Sequence, residues 1–210
     1  MAEELGKIEK PLAEEFKEGR KLYFIPLIYC GTEPQAEYLE KFNKYWNQVE
    51  NQMTDLELKL GTVNKIYHEL IPVSGDDGIK VIEELNSKSC QIIRNRLDKG
   101  AQLEAAEKSD LLTEFMDWSS CLAIGLRNQK VFAKVYDSYL KASKKRNEYI
   151  VRQIDKTLKA SEIGILFMRE GYQIQFPPDI QLFYVAPPAL DDIKRWLRDR
   201  QGKPQTEQPQ

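Results

Sequence analysis

The reactive and ionisable side chains of this 210-residue chain cluster directly after three predicted strands. Tyr29 and Cys30 follow the first strand, His68 and Glu69 follow the second, and the segment 169–172 follows the third. The carboxyl ends of parallel strands meet at one edge of a sheet, and ligands of open α/β proteins collect at that edge. We therefore expect these residues to converge on one site.

The residue types of this group have known uses in catalysis and binding. A thiol, an imidazole and carboxylates can together form a base-assisted nucleophile or a site for a divalent metal ion. The alternative is that they are ordinary polar groups at the ends of strands. The predicted ligand-binding residues are Tyr29, Cys30, Tyr67, His68, Glu69, Glu107, Glu170 and Tyr172, with Arg169, Asp76, Asp77 and Glu104 as neighbours. Of these, Tyr67, His68, Glu69, Glu107 and Tyr172 are expected to line one cavity.

Several classes of function are disfavoured by motifs that the sequence lacks. It contains no glycine-rich nucleotide-binding motif, no HExxH or CxxC metal motif and no GxSxG nucleophile elbow, so we expect neither a cofactor nor a metal. The net charge of −2 argues against binding to nucleic acid or to a membrane surface. No signal peptide opens the sequence and no apolar run reaches about 18 residues, which predicts a cytoplasmic protein.

The apolar patterning predicts strands at 22–29, 62–67, 161–168 and 181–186, with helices between them. This alternation is typical of an α/β fold with a small, mostly parallel sheet covered by several long helices, in a three-layer, Rossmann-like arrangement. About a dozen residues join the last two strands, which suits a parallel crossover as well as a hairpin, so their relative direction is left open. We expect one domain over 21–200, a charged segment over 1–20 and a disordered tail over 201–210.

Three helical patterns accompany these strands. Within 1–20, Pro11 suits a first helical turn, and Leu12 and Phe16 lie four residues apart on one helical face. From 110 to 158, only Gly125 and the polar segment 127–130 interrupt the helical sequence, so two helices with a break are expected. An apolar stripe with alternating spacings of three and four is formed by Leu39, Phe42, Trp46, Val49, Met53, Leu56 and Leu60. It predicts one long helix, which either lies on a sheet or on another helix or forms a coiled-coil face for a partner, as in a homodimer.

Three stretches resemble a family of conserved prokaryotic proteins whose function is unassigned. They are the segment 65–73 (KIYHELIPV), the segment 97–101 (LDKGA) leading through Glu107 to 111–114 (LLTE), and the segment 164–167 (GILF) with 177–180 (PPDI). The resemblance covers most of the chain after residue 20. It implies that the scaffold positions of the family are kept.

The polar positions depart from the family pattern. In the family pattern, a His-Thr pair ends the first strand, where this chain has Tyr29 and Cys30. The family has a Gln-Asp-Gly turn where this chain has the segment 68–70, and a histidine where this chain has Tyr172. The resemblance therefore implies that any catalytic site of the family is altered or lost in this chain.

Two classes of function follow from these patterns. The first is a non-catalytic binding module that holds a small molecule or a protein partner at the ends of the strands or along the long helices. The alternative is a small-molecule hydrolase with its site at the carboxyl ends of the strands. The missing nucleotide motifs and the altered polar positions favour the binding module.

Overall fold

A computed structural model of the chain describes residues 19–171 and 174–201. Its strands are β1 (Arg20–Pro26), β2 (Lys65–His68), β3 (Gln102–Leu103), β4 (Ile163–Met168) and β5 (Ile180–Tyr184). Its helices are α1 (Ala36–Leu60), α2 (Gly75–Leu85), α3 (Ser87–Leu97), α4 (Ser109–Ala123), α5 (Gln129–Thr157) and α6 (Pro188–Gln201). The predicted α/β fold with long helices is confirmed.

The five strands form one parallel sheet in the order β3-β2-β4-β1-β5. All six residues of the central strand β4 are buried, which explains why its sequence is apolar without alternation. Both of its neighbours pair with it in parallel, with Tyr23 of β1 and Ile66 of β2 opposite Ile165. Because β1 pairs in parallel with both β4 and β5, the direction that the sequence left open is parallel.

Helices cover both faces of the sheet and make three layers. On one face, here called the α1 face, buried residues of α1, α2, α3 and α6 pack with Tyr23, Ile25, Ile66 and Phe167 of the strands. On the other, the α5 face, the carboxyl-terminal half of α5 packs with the strands through Ile150 and Ile154. Helix α4 lies along α5.

The connection from β4 to β5 returns across the α5 face. We call its described residues, 169–171 and 174–179, the crossover segment. Ile174 and Phe176 of this segment pack against the buried cluster of the α5 face. The crossover segment therefore lies beside α5 in the same layer.

The apolar stripe of α1 belongs mainly to the core. Phe42, Trp46, Val49 and Met53 are buried against the sheet, so the interpretation of α1 as a helix on a sheet is confirmed and the coiled-coil interpretation of its stripe is wrong. The stripe does not include Tyr45, which is also buried and donates a hydrogen bond to the carbonyl oxygen of Pro26.

The predicted break between two helices is confirmed at residues 124–128. Gly125 has a φ of 74°, and the Asn128 side chain caps α5 by accepting from the amides of Lys130 and Val131. The sequence did not predict the short strand β3. It forms because Gln102 and Leu103 pair with Lys65 and Ile66.

Other predictions concern residues at the ends of the chain and the membrane. The segments 1–18 and 202–210, which include most of the predicted charged segment and tail, lie outside the described residues. Within the described ranges, no helix is both long enough and apolar enough to cross a membrane.

Candidate functional site

The structure places the predicted site residues on both faces of the sheet. His68 is fully buried on the α1 face, where its ring lies 5.7 Å from that of Phe167. The carboxylate of Glu69 extends to the α5 face, where it meets Arg146 of α5. Side chains alternate along a strand, so two adjacent residues point to opposite faces. The expectation that His68 and Glu69 share one cavity is therefore wrong.

His68 is held as a neutral, enclosed imidazole. Its Nδ1 donates to the carbonyl oxygen of Glu69 at 2.6 Å, and its Nε2 lies 3.3 Å from the hydroxyl of Ser89. Burial lowers the pKa of His68 to about 4, and the hydrogen bond to Glu69 only partly offsets this. The imidazole therefore has a structural place in the core.

Tyr29 and Cys30 are half-buried against the core of the α1 face. The carbonyl oxygen of Tyr29 accepts a hydrogen bond from Tyr38. Asp76 and Asp77 lie in the exposed first turn of α2. The structure thus does not bring these residues to the carboxylates of the α5 face.

Tyr67 and Glu104 also have local partners. The hydroxyl of Tyr67 lies 2.7 Å from that of Thr157 near the end of α5, and Glu104 pairs with Lys65. Burial raises the pKa of Tyr67 above its usual range. Tyr172 lies outside the described residues, so its predicted place in the cavity remains a prediction.

Two predicted residues, Glu69 and Glu107, meet in a buried ionic cluster at the carboxyl ends of β2, β3 and β4. Arg146 reaches both carboxylates, with its Nε 2.9 Å from Oε2 of Glu107 and its Nη2 3.6 Å from Oε2 of Glu69. Arg169 donates from Nε to Glu69 at 2.8 Å. Glu107 also accepts from the amide of Leu70, whose φ of 68° is left-handed. Burial raises the pKa of Glu69, while both arginines act in the opposite direction.

This cluster fixes α5 to the edge of the sheet, and its central cation was missed by the sequence analysis. Arg146 belongs to a run of three basic residues that reads as a solvated patch, yet its side chain is fully buried. The helical spacing indicates that Arg146 is buried. Buried residues recur every four positions along this part of α5, at Ala142, Arg146, Ile150 and Ile154.

Beside this cluster an open cleft of about 1100 Å³ lies between α5 and the crossover segment. Predicted residues Arg169 and Glu170 line one wall. The α5 wall was not predicted and is formed by Tyr136, Tyr139, Leu140, Ser143, Lys144, Asn147, Glu148 and Val151. The cleft therefore lies at the end of β4, as the strand-end argument predicts, but most of its surface comes from a helix.

Asn147 is a residue of the cleft wall with a buried polar atom that lacks a partner among the described residues. It is 7% exposed, and its Oδ1 accepts no hydrogen bond from any residue that the structure describes. Leaving a buried acceptor unpaired costs about 1–3 kcal/mol, so such groups call for an explanation. Glu170 differs, because it pairs with Lys194 at 2.7 Å and accepts a hydrogen bond from Tyr184.

The lining of the cleft combines apolar, amide and charged side chains. Its lining residues within the described ranges include neither a histidine nor a cysteine. Those ranges also hold no group of three or more His, Cys, Asp and Glu side chains that is arranged for a metal ion.

Comparisons with protein-family models, with curated proteins and with solved structures find no match to this chain.

Proposed function

We propose that this protein is a non-catalytic binding module whose cleft holds a peptide segment of a protein partner. The Oδ1 of Asn147, which has no partner among the described residues, carries the proposal, because an unsatisfied acceptor just behind the wall of an open cleft favours a ligand that brings an N–H donor. Tyr136, Tyr139 and Leu140 add an apolar surface next to it. A peptide offers both a backbone N–H and apolar side chains.

The size of the cleft also favours a peptide. Its volume of about 1100 Å³ lies at the upper end of the roughly 300–1,000 Å³ that is typical of small-molecule sites. The hydrolase alternative requires a nucleophile activated by a base. Ser143 has no histidine among its described neighbours in the cleft, and His68 is enclosed on the α1 face.

We further propose that the protein works in the cytoplasm and belongs to the prokaryotic family that it resembles. The cytoplasmic location is supported by the cysteines, because a reducing compartment favours free thiols. Cys30, Cys90 and Cys121 are all free thiols. A homodimer stays a prediction.

A titration tests the binding function. The probe is N-acetyl-phenylalanine amide, which carries an aromatic ring and amide N–H donors, and the readout is the NMR signals of Asn147 and Gly171, which both line the cleft. We expect saturable shifts in the wild type and their loss in Ser143→Trp, which fills the cleft. The matched control is Lys141→Trp, on an exposed position of α5 outside the cleft, which should bind as the wild type does. Equal probe shifts in Ser143→Trp and Lys141→Trp would contradict the proposal.

A further inference from the structure

Strand β5 forms one edge of the sheet, and its only neighbouring strand among the described residues is β1. Val185, directly after the strand, donates its N–H to the carbonyl oxygen of Phe24 in β1. Successive residues of a strand direct their backbone groups to opposite sides, so Leu182 and Tyr184 direct their N–H and C=O groups away from β1. The outer side of β5 therefore carries backbone donors and acceptors that pair with no strand of the described residues.

The sequence of β5 lacks the features that normally keep an edge strand from pairing. Edge strands are usually very short, or they carry charged residues, a proline or a bulge. The opposite edge of the sheet, β3, follows this pattern with its two residues. Strand β5 has five residues, IQLFY, with neither a charge nor a proline. Such an edge is a template for a further strand.

Apolar side chains of β5 are exposed on the α5 face of the sheet. Leu182 and Tyr184 are 49% and 50% exposed, although parallel sheets are usually covered on both faces. The ring of Tyr184 is held in place, because it stacks on the half-buried Phe24 with ring centroids 5.4 Å apart. A strand added beside β5 would cover Leu182 and Tyr184, since side chains of neighbouring strands contact each other across a sheet.

On the other face of the sheet, an open cavity of about 520 Å³ lies between β5 and α1. It is lined by residues 182–185 and, on α1, by Gln52, Asp55, Leu56 and Lys59. Asp55 and Lys59 have opposite charges, so the α1 rim is close to neutral and does not repel an identical rim. The outer side of β5 is therefore accessible from both faces of the sheet.

The outer side of β5 is complementary to itself. If two copies of β5 pair antiparallel around a two-fold axis at Phe183, Leu182 of each copy lies opposite Tyr184 of the other. Each such pair then exchanges both of its N–H···O bonds. Pairing centred on Leu182 would instead need the N–H of Ile180, which already donates to the carbonyl oxygen of Pro177. A closed, symmetric pair thus satisfies the outward groups of Leu182 and Tyr184.

We propose that the protein forms a homodimer in which β5 pairs antiparallel with β5 of a second copy and joins the two sheets into one. A second copy is favoured over a strand of another protein, because the two-fold axis pairs the outward groups of β5 with no other sequence. The contact is small, so the dimer dissociates on dilution. This inference goes beyond the proposed function, since the cleft lies elsewhere, between α5 and the crossover segment.

Amide hydrogen exchange of the full chain at two protein concentrations tests the proposal. Exchange runs for a fixed time at about 1 mM and at about 10 µM, which brackets the dissociation constants expected of a small interface. It is stopped in dimethyl sulfoxide and read by NMR. We expect the amides of Leu182 and Tyr184 to exchange about tenfold more slowly at the higher concentration. The amide of Val185, which is bonded to β1, should be equally slow at both and is the internal control.

Light scattering at the same concentrations gives the other outcomes their meaning. Fast exchange of Leu182 and Tyr184 at both concentrations would overturn the proposal, whether the mass is that of one chain or of two. Slow exchange at both concentrations with the mass of one chain would show that the same chain covers its own edge, and would also overturn the proposal. Slow exchange at both concentrations with the mass of two chains would support a tighter dimer of the same kind.

Leu182→Pro separates strand pairing from apolar contact. It removes an outward N–H and leaves the hydrogen bonds to β1 in place, and proline is tolerated at such positions of an edge strand. We expect the mass of one chain at the higher concentration, with the amide of Val185 still slow to exchange. Leu182→Val keeps the N–H and an apolar side chain, so it should form the dimer as the wild type does. A folded Leu182→Pro with the mass of two chains would overturn the proposal.

Mixed isotope labelling determines the register without any substitution. In a mixture of labelled and unlabelled chain, we expect a nuclear Overhauser effect between the Hα atoms of Phe183 in the two copies. The reason is that antiparallel residues of a non-hydrogen-bonded pair have Cα atoms about 4.5 Å apart. A sample that has the mass of two chains but lacks this effect would overturn the proposed pairing of β5.

Discussion

His68 and Glu69 are adjacent in the sequence and their side chains lie on opposite faces of the sheet. The imidazole is enclosed among α3 and β4, whereas the carboxylate binds Arg169 on the α5 face at 2.8 Å. Each residue therefore has an electrostatic role of its own. His68 makes stability depend on pH, and Glu69 helps to fix α5 beside the cleft.

His68 should make the protein less stable in mild acid. Its pKa is lowered from 6.5 to about 4 in the folded state, so between these values the unfolded chain binds more protons. Its contribution is present above pH 6.5 and is lost as the pH falls to about 4, by roughly 3 kcal/mol. We expect His68→Gln to remove this dependence, measured as urea unfolding between pH 4 and 7.

The comparison with His68→Gln isolates the contribution of the imidazole to the pH dependence of stability. His68 is the one histidine in the sequence, and the buried Glu69 contributes with the opposite sign because its pKa is raised. An equal loss of stability in both proteins from pH 6.5 to 4 would show that His68 is not the cause.

Arg146, in the ionic cluster behind the cleft, should be the charged residue of α5 whose loss destabilises the fold most. Arg146→Met leaves the carboxylates of Glu69 and Glu107 buried without their shared cation, so we expect a loss of about 3–5 kcal/mol in the free energy of unfolding. Arg152→Met removes an exposed arginine from the same helix and should change stability by less than about 0.5 kcal/mol. Equal urea midpoints for the two variants would contradict this role.

The sequence was sufficient to predict four of the five strands and the long helices, because apolar periodicity reports burial directly. The buried run of β4 and the stripe from Phe42 to Met53 are examples. Strand β3 was missed because two residues are too few to show a period. Their pairing with β2 depends on where the chain returns in space.

The site was only partly predictable for the same reason. The strand ends indicated Arg169 and Glu170, which line the cleft, and Glu69 and Glu107, which lie behind it. His68 was misplaced because one residue of register decides the face on which a side chain lies. The α5 wall was missed because Tyr136 and Leu140 look like core residues of a helix. They are half-exposed, since α5 extends beyond the sheet that buries its second half.

The stripe of α1 gives a direct test of the core. Trp46→Glu with Met53→Glu would bury two carboxylates against the sheet without partners. We expect the domain to unfold, seen as loss of near-ultraviolet circular dichroism. Leu39→Glu with Leu58→Glu, at exposed positions of the same helix, should stay folded. A folded monomer of the first variant, detected by light scattering, would show instead that the stripe joins two copies.

Asn147 should lower the free energy of unfolding of the protein and raise its affinity for the probe. Its Oδ1 has no hydrogen-bond partner among the described residues, so Asn147→Leu replaces an unsatisfied acceptor by an apolar group of similar volume. We expect the free energy of unfolding to rise by about 1 kcal/mol and the affinity for N-acetyl-phenylalanine amide to fall. Asn147→Asp, which keeps an acceptor and adds a nearly buried charge, should lower stability instead. Denaturant unfolding and probe titration of both variants measure the two effects separately. A loss of stability in Asn147→Leu would mean that the amide has a partner in the folded chain, and the reason for assigning a donor-bearing ligand to the cleft would then be removed.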